Sequence, residues 1–217
     1  MKKLKEVLDK VLSLILPKEK FVEKIEKMDI DEANNLPGAN EIKDEQFKAV
    51  FQYKNKTVRQ AIWEIKYRGN REILKKFTKI LYEFMLEEIS DKMAFENFRN
   101  PLLIPIPVSR NSLRERGFNQ CELIVRELAQ IDNGINFEIE TKALKKIRET
   151  PHQSKLKNRA LRLKNLKGCF SADTDKVKNR CVIIIDDVIT TSTTMNEVSK
   201  TLRKAGARKV IGFAIAH

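Results

Sequence analysis

The sequence predicts an α/β protein with a mostly parallel, twisted sheet flanked by helices and a small helical extension at its N-terminus. One observation is the apolar run at residues 181–185, which is rich in β-branched side chains and too short to span a membrane. Such a run is typical of a central strand covered on both faces. The other is its sequel: two acids, a hydroxyl-rich turn and then a segment with helical spacing.

The acids after this predicted strand indicate a ligand site. In open parallel sheets, ligands bind at the carboxyl ends of strands, and a helix N-terminus there favours phosphate. Asp186 and Asp187 therefore predict a site together with the hydroxyl-rich turn. The residues of that turn are Thr190, Thr191, Ser192, Thr193 and Thr194.

The size and charge of the chain limit the function further. Its 217 residues suit one domain with a small appendage. A formal charge of +13 comes from 43 Lys and Arg against 30 Asp and Glu. This favours an anionic partner, either nucleic acid or a phosphorylated metabolite. A generally basic, lysine-rich proteome is the alternative explanation.

The cysteines and histidines argue against zinc. Cys121, Cys169 and Cys181 lie far apart without a CxxC pair, and the only histidines are His152 and His217. A structural zinc site is therefore not expected. Three cysteines at such spacing also suit a reducing cytoplasm better than secretion.

The N-terminal residues resemble a signal peptide only superficially. Charged residues interrupt the apolar stretch, and no small-residue cleavage site follows. No apolar run elsewhere approaches the roughly 18 residues of a spanning helix. We expect a cytoplasmic protein.

Two regions are predicted along the chain. Residues 1–45 should form a helix followed by a polar linker, and residues 46–217 the main domain. The helix is indicated by apolar residues from Leu4 to Ile15 at i, i+3, i+4 spacing, with Pro17 as its stop. We expect its apolar face to pack on the chain's own core rather than on a membrane or a partner. Residues 18–44 are polar, contain a Pro-Gly turn, and are expected to be weakly ordered.

The main domain shows alternating strand and helix signals. Thr57 is the expected cap of its first helix, and Gly206 should end its last. Because proline lacks a ladder N–H, the strand before Pro105 should stop at Ile104. Strands are predicted at residues 47–53, 102–104, 137–144, 168–170 and 210–216, and helices at 57–67, 71–89, from 120 and from 195 to 202.

One helix carries an aromatic pair among cations. Trp63 and Tyr67 are accompanied by Lys66 and Arg68, a combination that stacks bases in single-strand binders. A half-buried helix end with cations extending to solvent explains the same pattern, and we favour that interpretation.

Three arginines follow the predicted strand at residues 102–104. Arginine binds phosphate oxygens in a bidentate manner, so Arg110, Arg114 and Arg116 predict a pyrophosphate cradle. A solvated charge run is the alternative. It is less favoured because residues 117–120 lead directly into a helix.

The segment from Lys145 to Lys167 is strongly basic. A flexible loop closing over a pyrophosphate would have this composition, and so would a nucleic-acid surface, since charge alone does not separate the two. His152 lies in this segment, and we expect it to be incidental rather than an acid–base group.

Four blocks together resemble one family. They are VFQYKNKTVRQAIWEIKYRG, IPIPVSRNSLRERGFNQCELIVRELA, RETPHQSKLKNRALRLKNLKGCF and VIIIDDVITTSTTMNEVSKTLRKAGA. The set is similar to the ComF family, phosphoribosyltransferase-like proteins associated with natural competence, from Phe47 to His217. The last block alone resembles the phosphoribosyl pyrophosphate (PRPP) loop of type I phosphoribosyltransferases. The resemblance implies a type I phosphoribosyltransferase fold with PRPP and Mg²⁺ as ligands. It also implies a role in DNA uptake, with single-stranded DNA or a helicase as partner.

The resemblance also implies roles for individual residues. The acid pair would bind the ribose diol, with Mg²⁺ brought by PRPP, and would be catalytic together with Arg110. Val188 and the hydroxyl turn would hold the 5′-phosphate. The pyrophosphate loop would comprise Ser109, Arg110, Arg114 and Arg116, and the flexible lid Gln153, Lys155 and Arg159.

The sequence departs from the pattern of these families at three points. Many ComF proteins carry an N-terminal four-cysteine zinc finger, and we do not expect one here, because the sequence has only Cys121, Cys169 and Cys181. Ser192 stands where the family usually has glycine, which costs conformational energy if the position requires a positive φ. Thr190 stands where purine-salvage members have an Asp facing the base, which argues against hypoxanthine or guanine as acceptor.

Two functions remain open from the sequence. The first is transfer of ribosyl phosphate to an unknown acceptor. The second is a non-catalytic module that binds single-stranded DNA or a helicase through its basic surface. A P-loop ATPase is excluded because no G-x-x-x-x-G-K-[ST] occurs, and a HAD-type phosphatase because no D-x-D-x-T occurs.

Overall fold

The computed structural model describes residues 20–149 and 166–217, and the statements below concern those residues. The helices are α1 Lys20–Lys27, α2 Ile30–Asn34, α3 Lys56–Trp63, α4 Arg71–Phe95, α5 Arg110–Arg116, α6 Gln120–Asp132, α7 Thr174–Val177 and α8 Thr193–Lys204. The strands are β1 Phe47–Phe51, β2 Leu102–Pro105, β3 Glu138–Ile139, β4 Leu144–Lys146, β5 Phe170–Ala172, β6 Cys181–Val188 and β7 Lys209–Ala216. A π-helical segment, Glu64–Arg68, follows α3 directly.

Five strands form a parallel sheet in the order β1-β7-β6-β2-β3. Every neighbouring pair in it is parallel, which confirms the predicted sheet type. The strands β4 and β5 form a separate antiparallel hairpin. The apolar run at residues 181–185 lies in β6, between β7 and β2, as its composition predicts.

The sheet is covered on both faces by apolar clusters. On one face Ile183 and Ile185 pack with α4 and α6, and on the other Val182 and Ile184 pack with α8 and the hairpin. Successive residues of a strand point to opposite faces, so a continuous apolar run is what a doubly covered strand requires.

Gly212 in β7 allows the sheet to pack closely on α8. A Cβ there would lie 2.9 Å from Ile184 Cγ1, 2.9 Å from Phe47 Cδ1 and 3.0 Å from Met195 Sδ. These distances are shorter than carbon contacts in well-packed interiors. Glycine is therefore required by space rather than by backbone conformation.

The expected polar linker at residues 18–44 is wrong for the part that the structure describes. Residues Lys20–Lys27 and Ile30–Asn34 are helical, and Val22, Ile25 and Ala33 are buried in the main core. Lys76 of α4 holds α1 in place, since its Nζ donates to the carbonyl oxygens of Ile25 (3.1 Å) and Glu26 (3.0 Å), and to that of Met28. Two apolar residues three apart suffice when a neighbouring helix supplies the packing surface.

Two strand predictions differ from the structure. The single strand expected at residues 137–144 is instead two short strands, because only Glu138 and Ile139 pair with β2 before the chain turns into the hairpin. The strand expected at residues 168–170 is shifted to Phe170–Ala172.

The strand β2 extends one residue further than predicted, through Pro105, which lies opposite Ile185. The next residue, Ile106, donates its N–H to the Ile185 carbonyl at 3.0 Å. The missing N–H of Pro105 faces the side where β3 has already ended at the level of Leu103. No ladder bond is lost there, so proline is tolerated.

The helix predicted from Thr57 begins with a different cap. The Asn55 side chain accepts hydrogen bonds from the N–H groups of Thr57 (2.9 Å) and Val58 (3.2 Å). The helix changes to π geometry after Trp63 and ends at Gly69, which has φ +62°. Its predicted end at Tyr67 is within one residue of the observed end at Arg68.

The predicted N-terminal helix between Leu4 and Ile15 and the predicted lid residues Gln153, Lys155 and Arg159 lie outside the described residues, as does His152. Among the helices at residues 20–149 and 166–217, none combines the length and apolar character needed to cross a bilayer.

Candidate functional site

A cleft of about 610 Å³ opens at the carboxyl ends of β2 and β6. One wall is formed by α3 and the π-helical segment, and the floor by the end of β6 and the start of α8. The structure therefore brings the acid pair and the hydroxyl turn to the position that the sequence predicts, at the edge where ligands bind parallel sheets.

The two carboxylates lie at the end of β6 with different surroundings. Asp187 is 4 % exposed, whereas Asp186 is half-buried. The Asp187 N–H donates to Asp186 Oδ1 at 2.9 Å, so the Asp186 carboxylate lies against the backbone of Asp187. Asp186 contacts Cys121 at the start of α6, whereas Asp187 contacts Gln120 of the same helix and Lys66 of the π-helical segment.

Asp187 forms an ion pair with Lys66 of the π-helical segment, with 3.2 Å between Oδ2 and Nζ. The charge of Asp187 raises the pKa of Lys66 against the opposing effect of burial. Burial acts to raise the pKa of Asp187, but Lys66 and hydrogen bonds from Asp186 and Gln120 outweigh it, so the net pKa is lowered. Asp187 is therefore ionised and compensated by a cation of the same chain.

Asp186 has the opposite electrostatic state. Burial, followed by the neighbouring charge of Asp187, raises the pKa of Asp186 well above its ordinary value. Its Oδ1 also accepts from the Cys121 thiol at 3.4 Å. Burial and then Asp186 raise the pKa of that thiol, which stays protonated as a donor. Paired carboxylates at close range separate into a protonated and an ionised member.

The hydroxyl turn leads into α8 through Ser192, which has φ +53°. Ser192 thus has the left-handed backbone conformation in which serine costs conformational energy relative to glycine. Ser192 makes no side-chain capping hydrogen bond, in contrast to Asn55, Ser109 and Asn119 at other helix starts. The first-turn N–H groups of α8 consequently face the cleft without a side-chain cap from this residue.

Hydroxyl groups line this part of the cleft. Thr191 Oγ1 and Thr193 Oγ1 lie 2.9 Å apart, Thr193 is buried, and Thr190 is exposed at the rim. Val188, Thr190, Thr191, Ser192, Thr193 and Thr194 all line the cleft. A helix N-terminus surrounded by hydroxyls is suited to bind a phosphate group.

The predicted arginine cradle is only partly in the cleft. Ser109 and Arg116 line it, whereas Arg110 and Arg114 are exposed on α5 and do not. Ser109 caps α5 by accepting from the Ser112 N–H at 3.0 Å. The Arg110 N–H donates to Glu149 Oε1 at 2.7 Å. The cradle residues were expected in a loop, and the structure places them on a short helix.

The aromatic pair lies at the mouth of the cleft. The rings of Trp63 and Tyr67 are 5.5 Å apart between centroids and are 40 % and 48 % exposed. Arg68 lies over Trp63 at 5.1 Å and Arg116 over Tyr67 at 4.8 Å. The exposed fraction of the two rings agrees with the interpretation as a half-buried helix end, but both rings also line the cleft.

The acid pair and Cys121 offer a set of donor atoms that fits a resident Mg²⁺ poorly. In the described part of the chain, Cys121, Asp186 and Asp187 each offer an atom within 4.8 Å of the others. Mg²⁺ prefers an octahedral oxygen set, and a thiol is a poor member of it. The carboxylates suit hydroxyl donors of a sugar better than a resident Mg²⁺.

Sequence reasoning missed four residues of the site. Lys66 was treated as a solvated cation, although it reaches the acid pair, and Cys121, Gln120 and Lys146 were not assigned to the site. Lys146 lines the cleft from the hairpin, and burial lowers its pKa. No local pattern marks these residues, because they come from three separate elements: the π-helical segment, the start of α6 and the strand β4.

A comparison with known families agrees with this geometry. Residues 117–217 match the Phosphoribosyl transferase domain family. The matched region contains α6, β6, the hydroxyl turn, α8 and β7, which include the acid pair and the phosphate-suited helix end.

Relatives match a longer part of the chain. Competence protein F of Haemophilus influenzae is 34 % identical over 119 residues, which cover 52 % of this chain and 49 % of that protein. DNA utilization protein YhgH of Escherichia coli K12 is 28 % identical over 149 residues, covering 69 % and 62 %. Competence protein ComFC of Streptococcus pneumoniae is 29 % identical over 168 residues, covering 77 % and 66 %. The chain thus spans between about half and two thirds of these relatives.

Solved structures with a partial likeness include the allosteric regulatory enzyme of purine biosynthesis, with 20 % identity and a TM-score of 0.38 over 64 % of this chain and 25 % of that one. A glutamic acid mutant described as an HPRT shows 15 % identity and a TM-score of 0.38, covering 64 % and 66 %. Scores of this size carry no argument about function.

The parallel sheet with the matched domain defines a type I phosphoribosyltransferase fold. Within that class the chain is similar to competence and DNA utilization proteins, and this similarity supports a ComF-like protein.

Proposed function

We propose that the chain binds PRPP with Mg²⁺ in the cleft and transfers its ribosyl phosphate to an acceptor, in a process of natural competence and DNA uptake. The observation that carries this proposal is the acid pair followed directly by a hydroxyl-lined helix N-terminus at the end of β6. The names of the relatives supply the biological process.

Each part of PRPP has a matching part of the cleft. The ionised Asp187 and its neighbour Asp186 accept hydrogen bonds from the ribose 2′- and 3′-hydroxyls. The turn and the first N–H groups of α8 take the 5′-phosphate, because the helix dipole and the N–H groups of a helix N-terminus favour an anion. Ser109 and Arg116 face the pyrophosphate side, with Arg110 and Arg114 nearby on α5.

The chemistry required of these residues is electrostatic. Loss of pyrophosphate leaves an oxocarbenium-like C1, so the site must stabilise the departing negative charge and exclude water. Bound Mg²⁺ would supply charge neutralisation on the pyrophosphate. The residues of the chain orient the sugar through the diol, hold the phosphate end and place Arg116 and Lys146 as cations along the cleft. No side-chain nucleophile is needed.

Isothermal titration with PRPP and Mg²⁺ tests the proposal. We expect saturable binding to the wild-type protein and a loss of at least tenfold in affinity for Asp187→Ala. Asp187→Asn is a second variant that keeps the shape of the side chain. Asp175→Ala, an exposed acid in the first turn of α7, is the matched control and should bind as the wild type does. No binding at millimolar PRPP, or equal binding by Asp187→Ala, would sink the idea.

A second candidate function is a non-catalytic module for single-stranded DNA. The specific observation in its favour is the exposed aromatic pair flanked by Arg68 and Arg116 at the cleft mouth. Base stacking on such rings contributes about 1–3 kcal/mol per base.

Trp63 is the only tryptophan of the chain, so its fluorescence reports on this surface alone. Oligo(dT) should quench it, with an affinity that falls steeply as salt rises. Tyr67→Ala should weaken binding about tenfold, whereas Phe95→Ala, an 85 % exposed aromatic outside the cleft, should not. Absence of quenching at low salt would reject this function.

A further inference from the structure

The acid pair at the end of β6 already contains a cation of its own. The Lys66 ammonium lies 3.2 Å from Asp187 Oδ2, and the Lys66 side chain is 29 % exposed while that of Asp187 is 6 % exposed. The contact is therefore largely shielded from water, where an ion pair is stronger than at a surface.

The position of Lys66 is determined by the fold on both sides. The residue before it, Ile65, is completely buried, and Glu64 is buried with its carboxylate accepting from Gln60 at 3.3 Å. Gly69 ends the segment at positive φ, and a Cβ there would lie 3.2 Å from the Phe118 ring. These contacts fix the backbone of the π-helical segment. The position of Lys66 beside the acid pair therefore follows from the fold and not only from the rotamer of its side chain.

One oxygen of the neighbouring carboxylate also has donors. Asp186 Oδ1 accepts from the Asp187 N–H at 2.9 Å and from the Cys121 thiol at 3.4 Å. A divalent cation at this pair would need to displace these donors, bind within about 2.1 Å of the oxygens, and lie close to the Lys66 ammonium. Like charges at such distances repel more strongly in a partly buried site than in water.

We propose that Lys66 is a built-in counter-ion that makes the acid pair selective, excluding a free divalent cation while leaving both carboxylates able to accept hydrogen bonds from a vicinal diol. The inference rests on the proposed function for the identity of the diol. Lys66 acts as a positioning and selectivity residue.

Mn²⁺ binding in the absence of any phosphate ligand tests this role, measured by electron paramagnetic resonance or by calorimetry. We expect the wild-type protein to show no saturable Mn²⁺ binding up to millimolar concentration. Lys66→Met should gain affinity by at least tenfold, and the gain should disappear when Asp187→Asn is added. Lys66→Arg should restore exclusion, since it returns the charge. Lys48→Met, which removes another ion-paired lysine outside the cleft, should behave as the wild type.

The result that overturns the proposal is Mn²⁺ binding by the wild-type protein that is lost in Asp187→Asn, or an unchanged Mn²⁺ affinity in folded Lys66→Met. If Lys66→Met fails to fold by circular dichroism, Lys66→Gln replaces it, and the wild-type measurement decides by itself. PRPP takes no part in this experiment. A protein that excludes Mn²⁺ but does not bind PRPP would refute the proposed function and leave the role of Lys66 standing.

Discussion

Asp132, at the C-terminal end of α6, and Asp186, at the end of β6, are both carboxylates withdrawn from solvent, but they have different partners. Asp132 is fully buried and accepts from the Asn136 N–H (2.9 Å), the Asn136 side chain (2.8 Å), the Phe137 N–H (3.0 Å) and the Tyr82 hydroxyl (3.0 Å). Asp186 instead accepts from a thiol and one N–H, beside a second carboxylate.

The pKa values differ in direction accordingly. Burial acts to raise the pKa of Asp132, but the hydrogen bonds from Asn136, Phe137 and Tyr82 outweigh it, and the net pKa is lowered. For Asp186, burial and the charge of Asp187 act together, and the pKa is raised well above its ordinary value. Enough donors stabilise the charge in one case, and a like charge opposes it in the other.

The backbone next to each carboxylate shows the same contrast. After Asp132 the chain uses Asn133 and Gly134 at φ +51° and +75°, two residue types that accept the left-handed region at little cost. After the acid pair it uses Ser192 at φ +53°. Stability is optimised at the end of α6, whereas the cleft tolerates strain, as functional sites commonly do.

The comparison shows that burial of a carboxylate does not by itself mark a functional site. Asp132 closes α6 and anchors the start of β3, and its donors leave no capacity for a ligand. The acid pair faces a cavity and has its charge compensated from a distant segment. A buried carboxylate that has hydrogen bonds from several nearby donors has a structural role. A carboxylate that has few such donors and lies beside a cleft is a candidate for ligand binding.

The largest expected effect is the loss of the Asp132 carboxylate. Asp132→Ala leaves the N–H groups of the buried Phe137 and the half-buried Asn136 without an acceptor, so the free energy of unfolding should fall by about 3 kcal/mol or more. Urea denaturation measures it. Glu122→Ala, which removes an exposed ion pair with Arg126 on the same helix, should cost only about 0.5 kcal/mol. A small loss for Asp132→Ala would contradict the structural role assigned to Asp132.

An intermediate effect is expected in the dependence of stability on pH. The lowered pKa of folded Asp132 contributes stability that is present above the unfolded value of about 3.9 and is lost as pH falls through the folded pKa. The raised pKa of Asp186 contributes stability that is present below that value and is lost as pH rises through the folded pKa.

Relative to the wild type, Asp132→Asn should therefore lose stability as pH rises from acid values, and Asp186→Asn should gain it. One proton changes the slope by at most about 1.4 kcal/mol per pH unit. Denaturation curves of both variants from pH 3 to pH 8 provide the measurement. Slopes of the same sign would remove the distinction between the two carboxylates.

The smallest expected effect concerns the backbone at Ser192. Ser192→Gly relieves the positive φ and should raise the free energy of unfolding by up to about 1 kcal/mol, part of which is offset by the greater freedom of glycine in the unfolded chain. Asn179→Gly, at φ +61°, is the control and should change stability less, because asparagine tolerates this region. A clear destabilisation by Ser192→Gly would show that the serine hydroxyl has a structural role.

Much of the fold could be predicted from local patterns. The apolar run of β6 specifies a doubly covered strand, because this signal depends only on residues adjacent in the chain. The predicted secondary structure was wrong where packing against other elements determines it. The helices at Lys20–Lys27 and Ile30–Asn34 are polar segments that depend on Lys76 and the core for their stability.

The candidate site divides in the same way. The sequence by itself determined the acid pair, the hydroxyl turn and their place at a strand end, because these residues are consecutive and a parallel strand presents its carboxyl end to the ligand. Only the tertiary structure decided that Lys66 compensates Asp187, that Cys121 donates to Asp186, and that Arg116 rather than Arg110 lines the cleft. These contacts depend on distances between segments far apart in the chain, and their strength depends on burial, which a linear pattern does not contain.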